Sequence, residues 1–146
     1  MGNLHEELGR YPSESTFLII FTNGCFDILH RGHIELLKYC RSIGGKVIVG
    51  LNSDASVRAL KGRDRPINNQ EDRKFHLEAI RYVDEVVIFD QETPYELIMQ
   101  IKPSVIVKGG DYNKTDVVGH DVSEVRIFDY VRGYSTTSTI ESISNR

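Results

Sequence analysis

A chain of 146 residues is long enough for one domain with a single sizeable core. Its 40% hydrophobic and 27% charged residues are ordinary for a globular protein, and a net charge of −3 gives no bulk attraction to nucleic acid. No apolar run reaches transmembrane length, no basic-then-apolar leader is visible, and Cys25 and Cys40 make no disulfide framework, so the expectation is a cytoplasmic protein with reduced thiols that binds neither nucleic acid nor membrane.

Residues 1–15 are polar, include Gly9 and Pro12 and hold no sustained period, which predicts a loosely docked extension ahead of one domain over 16–146. Phe17 to Phe21 is a continuous apolar run that suits a strand buried on both faces. It leads through Thr22 to His33, T-N-G-C-F-D-I-L-H-R-G-H, into a helical pattern over Ile34–Ile43 that Gly44-Gly45 stops. Lys46–Leu51 is a second buried strand, and Asn52-Ser53-Asp54 supplies capping side chains for a helix over Ala55–Leu60. These elements make a βαβ unit.

Lys61–Pro66, K-G-R-D-R-P, is a compact basic loop, by default a solvated surface. Here it follows the second strand–helix junction and is placed to swing its cations over the first loop. Asn68 or Asn69 caps the next helix, which runs to about Ile80. Arg73 in its early turns opposes the helix dipole, a local cost that points to a partner elsewhere, either a ligand anion or an acidic side chain. Val83–Phe89 is a third strand, Thr93-Pro94 starts a helix closed by Lys102-Pro103, and Ser104–Lys108 is a fourth strand ending in the Gly109-Gly110-Asp111-Tyr112 turn. Asn113–Glu124 reads as loop with a helical turn, and Val125–Tyr130 as a fifth strand. Ser135-Thr136-Thr137 forms a hydroxyl-rich helix start after the turn at Arg132-Gly133-Tyr134.

Five strands alternating with helices predict an α/β fold, a single Rossmann-like doubly wound domain with a five-stranded parallel sheet. In that architecture ligands sit beyond the strands' carboxyl ends, where strand order reverses. The first loop, the K-G-G-D turn and the S-T-T helix start all fall at such ends and should converge. In the first loop, Gly32 lets an anion approach the backbone at a helix start while His30 and His33 offer ring N–H donors, which makes it a phosphate site. A lone histidine there is more often a cap. Zinc would need ligands beyond Cys25 and Asp27, and no metal site is expected. The absence of G-x-G-x-x-G after the first strand and of G-x-x-x-x-G-K-[ST] counts against a dinucleotide dehydrogenase and a P-loop kinase.

The loop G-C-F-D-I-L-H-R-G-H resembles the G-x-F-D-x-x-H-x-G-H motif of the cytidylyltransferase-like nucleotidyltransferases, and G-Y-S-T-T-S-T-I resembles their second motif. The likeness runs from about Phe17 to Ile143. Within that superfamily Leu51–Ser56, L-K-G-R-D-R-P at Leu60–Pro66 and V-K-G-G-D-Y at Val107–Tyr112 are most similar to the adenylyltransferases of ADP-heptose synthesis. The resemblance implies transfer of AMP from ATP to a sugar 1-phosphate, D-glycero-β-D-manno-heptose 1-phosphate, with Mg2+ carried on the substrate phosphates and a homodimeric assembly. It implies catalytic roles for His30, His33, Arg41 and Lys61. Nucleotide contacts would come from Thr22, Asn23, Gly24, Cys25, Phe26, Asp27 and Gly32, from Lys108, Gly109, Gly110 and Asp111, and from Ser135, Thr136 and Thr137. Substrate contacts would come from Asn52, Asp54, Arg65 and Arg73. Phosphorylation of the sugar is expected from a separate protein. Two rivals remain: a CTP-dependent enzyme using glycerol 3-phosphate or a similar alcohol phosphate, and a nucleotide-binding protein without turnover.

Overall fold

The computed structural model describes residues 18–129. In chain order these form β1 (Ile19–Gly24), α1 (Arg31–Ser42), β2 (Lys46–Asn52), α2 (Asp54–Lys61), α3 (Gln70–Glu78), β3 (Glu85–Phe89), α4 (Tyr95–Ile101), β4 (Val105–Gly109), a single 3-10 turn (Lys114–Asp116) and β5 (Glu124–Phe128). The strands make one five-stranded parallel sheet in the order β3-β2-β1-β4-β5. The expected doubly wound domain is therefore present, with its reversal of strand order between β1 and β4. The N-terminal extension and the S-T-T helix start lie outside the described residues.

Alternate residues of each central strand feed opposite cores, which is why the strands read as unbroken apolar runs. Ile20, Val47, Val105 and Val107 pack with Leu36 and Cys40 of α1, and Val49, Leu51 and Val86 pack with Leu37 of α1 and Leu77 of α3. Phe21, Ile48 and Ile106 face the other way, against Leu97 and Ile98 of α4 and against Val117 just after the 3-10 turn. At the middle of β2 a side chain on Gly50 would meet the Phe21 ring, its Cβ lying 2.7 Å from Cζ. The glycine makes room for that ring.

Two of the boundaries that differ from the sequence expectation move the functional loop. β1 continues through Thr22, Asn23 and Gly24, because these residues pair with Val49, Gly50 and Leu51 of β2. α1 starts at Arg31, so Gly32 and His33 sit inside its first turn with His30 as the N-cap. The loop is thus shorter than its motif, covering only the residues between Gly24 and Arg31. The other helix starts agree closely with expectation. Ser53 caps α2 by accepting from the Ser56 N–H, and Asn69 caps α3 by accepting from Asp72.

The seam between β1 and β4 is short. Only Ile20 with Val105 and Phe21 with Ile106 are in register, whereas β1 stays paired to β2 as far as Gly24 and β4 to β5 as far as Gly109. The two halves of the sheet part beyond Phe21, and a crevice opens at the carboxyl ends where the strand order reverses.

Candidate active site

The crevice holds a cavity of about 470 Å³, with Asn23, Gly24, Cys25, Phe26 and Asp27 at its centre, Asn52 and Lys61 on the β2 side and Lys108 and Gly109 on the β4 side. His33 completes the wall from the first turn of α1. The chain turns sharply between β1 and α1: Phe26 adopts φ of +45°, a left-handed conformation costly for a bulky residue. That turn lays the Phe26 ring over Gly24 and tilts it against the His33 ring, with centroids 5.1 Å apart. A Cβ on Gly24 would lie 3.1 Å from Phe26 Cε2, so the glycine allows the ring to close the floor.

His30 and His33 are stacked, their ring centroids 3.8 Å apart and the planes 23° from parallel. The backbone N–H of His30 donates to Nδ1 of His33 at 3.3 Å. An Nδ1 that accepts leaves the ring proton on Nε2, so His33 offers a neutral N–H donor. Its charged form is disfavoured first by burial, then by His30 and Lys61, which together hold its pKa down to about 3. Burial also lowers the pKa of His30. Lys108 is pushed down by burial and lies with Nζ 5.3 Å from the Tyr112 ring centroid. Burial raises the Cys25 thiol, against the pull of the nearby Lys61 and Arg73 cations.

A second layer fixes the loops that make this wall. Asp27 is 1% exposed, and its carboxylate accepts from Arg65 Nε and from the backbone N–H groups of Ile67 and Asn68. Its backbone carbonyl accepts from the Asn68 side chain at 2.8 Å. Asp27 therefore spends its charge on residues 65–68.

Arg73 is fully buried. It donates to the carbonyls of Cys25, Asn52 and Asn68 and pairs with Asp54 at 2.8 Å. The dipole cost of a cation in the early turns of α3 is thus met by an acidic side chain and three carbonyls. Asp54, Arg65 and Arg73, expected at the substrate, are bonded to the protein and stand outside the cavity wall. They act as braces.

Arg41 also stands elsewhere. It closes α1, whose 12 residues carry the chain about 18 Å from the carboxyl ends of the strands back to their amino ends. There Arg41 pairs with Asp84 at 2.7 Å, and the same carboxylate oxygen accepts from Val47 N–H at the start of β2. A helix antiparallel to its strands puts its last turn at the end remote from the crevice, so Arg41, expected among the catalytic residues, stands away from the cavity and pairs with Asp84.

Thr22 and Gly32 are buried close to the wall without lining it. Gly110 turns with φ of +113° and donates to the Phe128 carbonyl, while Asp111 is exposed beyond the cavity. Ser135, Thr136 and Thr137 lie outside the described residues. Leu36, Leu60, Glu92, Thr93, Pro94, Tyr112 and Val118 also line the cavity, none of them among the site residues expected from the sequence. Leu36 and Val118 carry an ordinary core signal. Glu92-Thr93-Pro94 follows β3 at a carboxyl end, and that position was the available signal. Among the described residues no group of three or more His, Cys, Asp or Glu side chains is placed to hold a metal ion.

A reversal crevice in a parallel α/β sheet, walled by a neutral histidine, two lysines and a strand-to-helix backbone turn, has the chemistry to receive an anionic ligand. The chain belongs to the cytidylyltransferase-like family, whose model matches residues 21–139. It is 58% identical over 126 residues to the bifunctional protein HldE of Aliarcobacter butzleri, an alignment covering 86% of this chain and 26% of that protein. It is 50% identical over 149 residues to the bifunctional protein HldE of Rhodopseudomonas palustris, covering 99% of this chain and 30% of that protein. The chain thus spans under a third of the length of these curated relatives. Among solved structures, the lipopolysaccharide core biosynthesis protein from Thermoplasma volcanium shares the fold with a TM-score of 0.66 at 23% identity, covering 81% of this chain and 98% of that one. Pantothenate synthetase from Thermus thermophilus shares it with a TM-score of 0.58 at 18% identity, covering 97% and 69%.

Proposed function

We propose that the chain transfers AMP from ATP to D-glycero-β-D-manno-heptose 1-phosphate, giving the ADP-sugar and pyrophosphate. The observation that carries this reading is the His30–His33 stack at the start of α1, with His33 on the wall of a cavity that also holds Lys61 and Lys108. The similarity to HldE proteins over most of the chain supports the choice of adenylyl donor and heptose acceptor.

An oxygen of the acceptor phosphate attacks the α-phosphorus. The bond from that phosphorus to the bridging oxygen of the β-phosphate breaks, and pyrophosphate leaves with the electron pair. The attacking oxygen is already ionised, so no general base is needed, and rate enhancement comes from positioning and charge stabilisation. His33 donates to the charge developing on the α-phosphoryl oxygens, and Lys61 and Lys108 neutralise the flanking phosphates. Mg2+ carried on the nucleotide would supply further charge neutralisation at the phosphates. A cytoplasmic homodimer completes the reading, and sedimentation of the purified chain tests the dimer. Among the described residues no helix is long and apolar enough to cross a membrane.

Pyrophosphate release is the direct test, measured with ATP, CTP, GTP and UTP against heptose 1-phosphate and glycerol 3-phosphate. Release with ATP and the heptose phosphate is expected. A strong preference for CTP with glycerol 3-phosphate would replace this reading with a cytidylyltransferase. Binding without release at either acceptor would make the chain a nucleotide-binding protein.

A further inference from the structure

Lys61 and Lys108 line the cavity together with two acidic residues, Asp27, whose carboxylate is taken up by residues 65–68, and Glu92. Glu92 lines it from the loop between β3 and α4, together with Thr93, and pairs with no cation among the described residues. An anionic group in a polyphosphate site repels that ligand, so Glu92 serves a part of the substrate bearing donors rather than negative charge.

A neighbouring amide has its orientation fixed by a relay. Ser56 gives its hydroxyl proton to the Gln91 carbonyl at 2.8 Å, so its oxygen must accept from Asn52 Nδ2, which lies 2.9 Å away. The Asn52 NH2 is thereby turned toward Ser56, and its carbonyl oxygen becomes the group available to the cavity that Asn52 lines. The same relay ties the end of β2 to Gln91, the residue preceding Glu92. On the other flank, Thr93 Oγ1 accepts from the Tyr95 N–H at 3.4 Å, which directs its own proton elsewhere.

Resting on the sugar-phosphate reading above, we infer that Glu92, Asn52 and Thr93 form a subsite that reads hydroxyl groups on the polyol body of the acceptor. A carboxylate and an amide carbonyl are acceptors only, and they suit a run of hydroxyl donors. The Thr93 hydroxyl supplies a donor where the polyol presents a lone pair. This arrangement separates a polyhydroxylated sugar phosphate from a bare phosphate, because only the former brings hydroxyl donors to the exposed carboxylate.

Calorimetric titration of the full chain with D-glycero-β-D-manno-heptose 1-phosphate, inorganic phosphate and MgATP tests the inference. Wild type is expected to prefer the heptose phosphate over inorganic phosphate. Glu92→Ala is expected to lose about 10-fold in affinity for the heptose phosphate, the scale of one hydrogen bond to a charged group, with inorganic phosphate and MgATP unchanged. Glu92→Gln, which keeps one acceptor oxygen, should fall between them. No preference in wild type, an unaltered preference in Glu92→Ala, or a loss confined to MgATP would each overturn the subsite, the last by assigning Glu92 to the nucleotide's metal. Pyrophosphate release by wild type reads the enzymatic proposal separately: binding preference without release retains the subsite and removes the reaction.

Discussion

A hydrogen bond from the backbone of its neighbour holds the ring proton of His33 on Nε2, and burial keeps the ring uncharged. Removing that donor in His33→Ala is expected to lower turnover about 100-fold or more, the usual cost of losing one transition-state donor, and steady-state pyrophosphate release measures it. The same burial makes stability depend on pH. The unfolded chain takes up this proton below about 6.5 and the folded chain only near 3, so the folded form binds fewer protons across that window. The stabilisation is complete above pH 6.5 and is lost as pH falls. From pH 7 to pH 5 this group should cost about 2 kcal/mol. Urea unfolding at the two pH values checks it, and His33→Gln should remove most of the difference.

Arg73 offers a contrast at the same scale. Truncation in Arg73→Ala leaves three carbonyls and Asp54 without their partner in the interior, with an expected loss of about 3–5 kcal/mol in denaturant unfolding. The sequence exposed the dipole conflict that marked this residue. It could not decide between a ligand and an internal acid, because that choice depends on Asp54 being brought beside it from another helix.

At the scale of elements, the strands and most helix starts were readable because each carries a local cause: a two-faced apolar run, or a capping Ser53 or Asn69. The errors fell where pairing decides. Thr22 to Gly24 look like loop by composition and become strand through the β2 ladder, and His33 enters α1 because His30 can serve as the cap. Glu92 and Thr93 join the site because their loop follows β3 at a carboxyl end, a signal of position rather than of residue pattern. Gly50 tests how tightly the elements fit. Gly50→Ala forces the Phe21 ring aside and is expected to cost about 1–3 kcal/mol, read as a lowered urea midpoint with the m-value unchanged.

Across the whole molecule, the cavity lies at one end of the sheet and a separate set of ion pairs at the other. The amino ends carry the Arg41–Asp84 and Lys46–Glu85 ion pairs, and the carboxyl ends carry the cavity. Arg41→Ala is therefore expected to lose at most about 1 kcal/mol of stability and to leave kcat and KM unchanged, measured by thermal unfolding and by pyrophosphate release. The family resemblance gave Arg41 a catalytic role by its position along the chain. Only the direction of α1 reveals that it stands at the far end.

The brief two-rung contact between β1 and β4 divides the sheet into a three-stranded and a two-stranded leaf, joined along an edge much shorter than either. A triphosphate held at once by residues 23–27 and by Lys108 would act as a clasp across that join. The empty protein should breathe there most easily. Loading it with nucleotide should slow amide hydrogen exchange at 23–25 and 107–109 together, while the β2–β3 ladder exchanges as before.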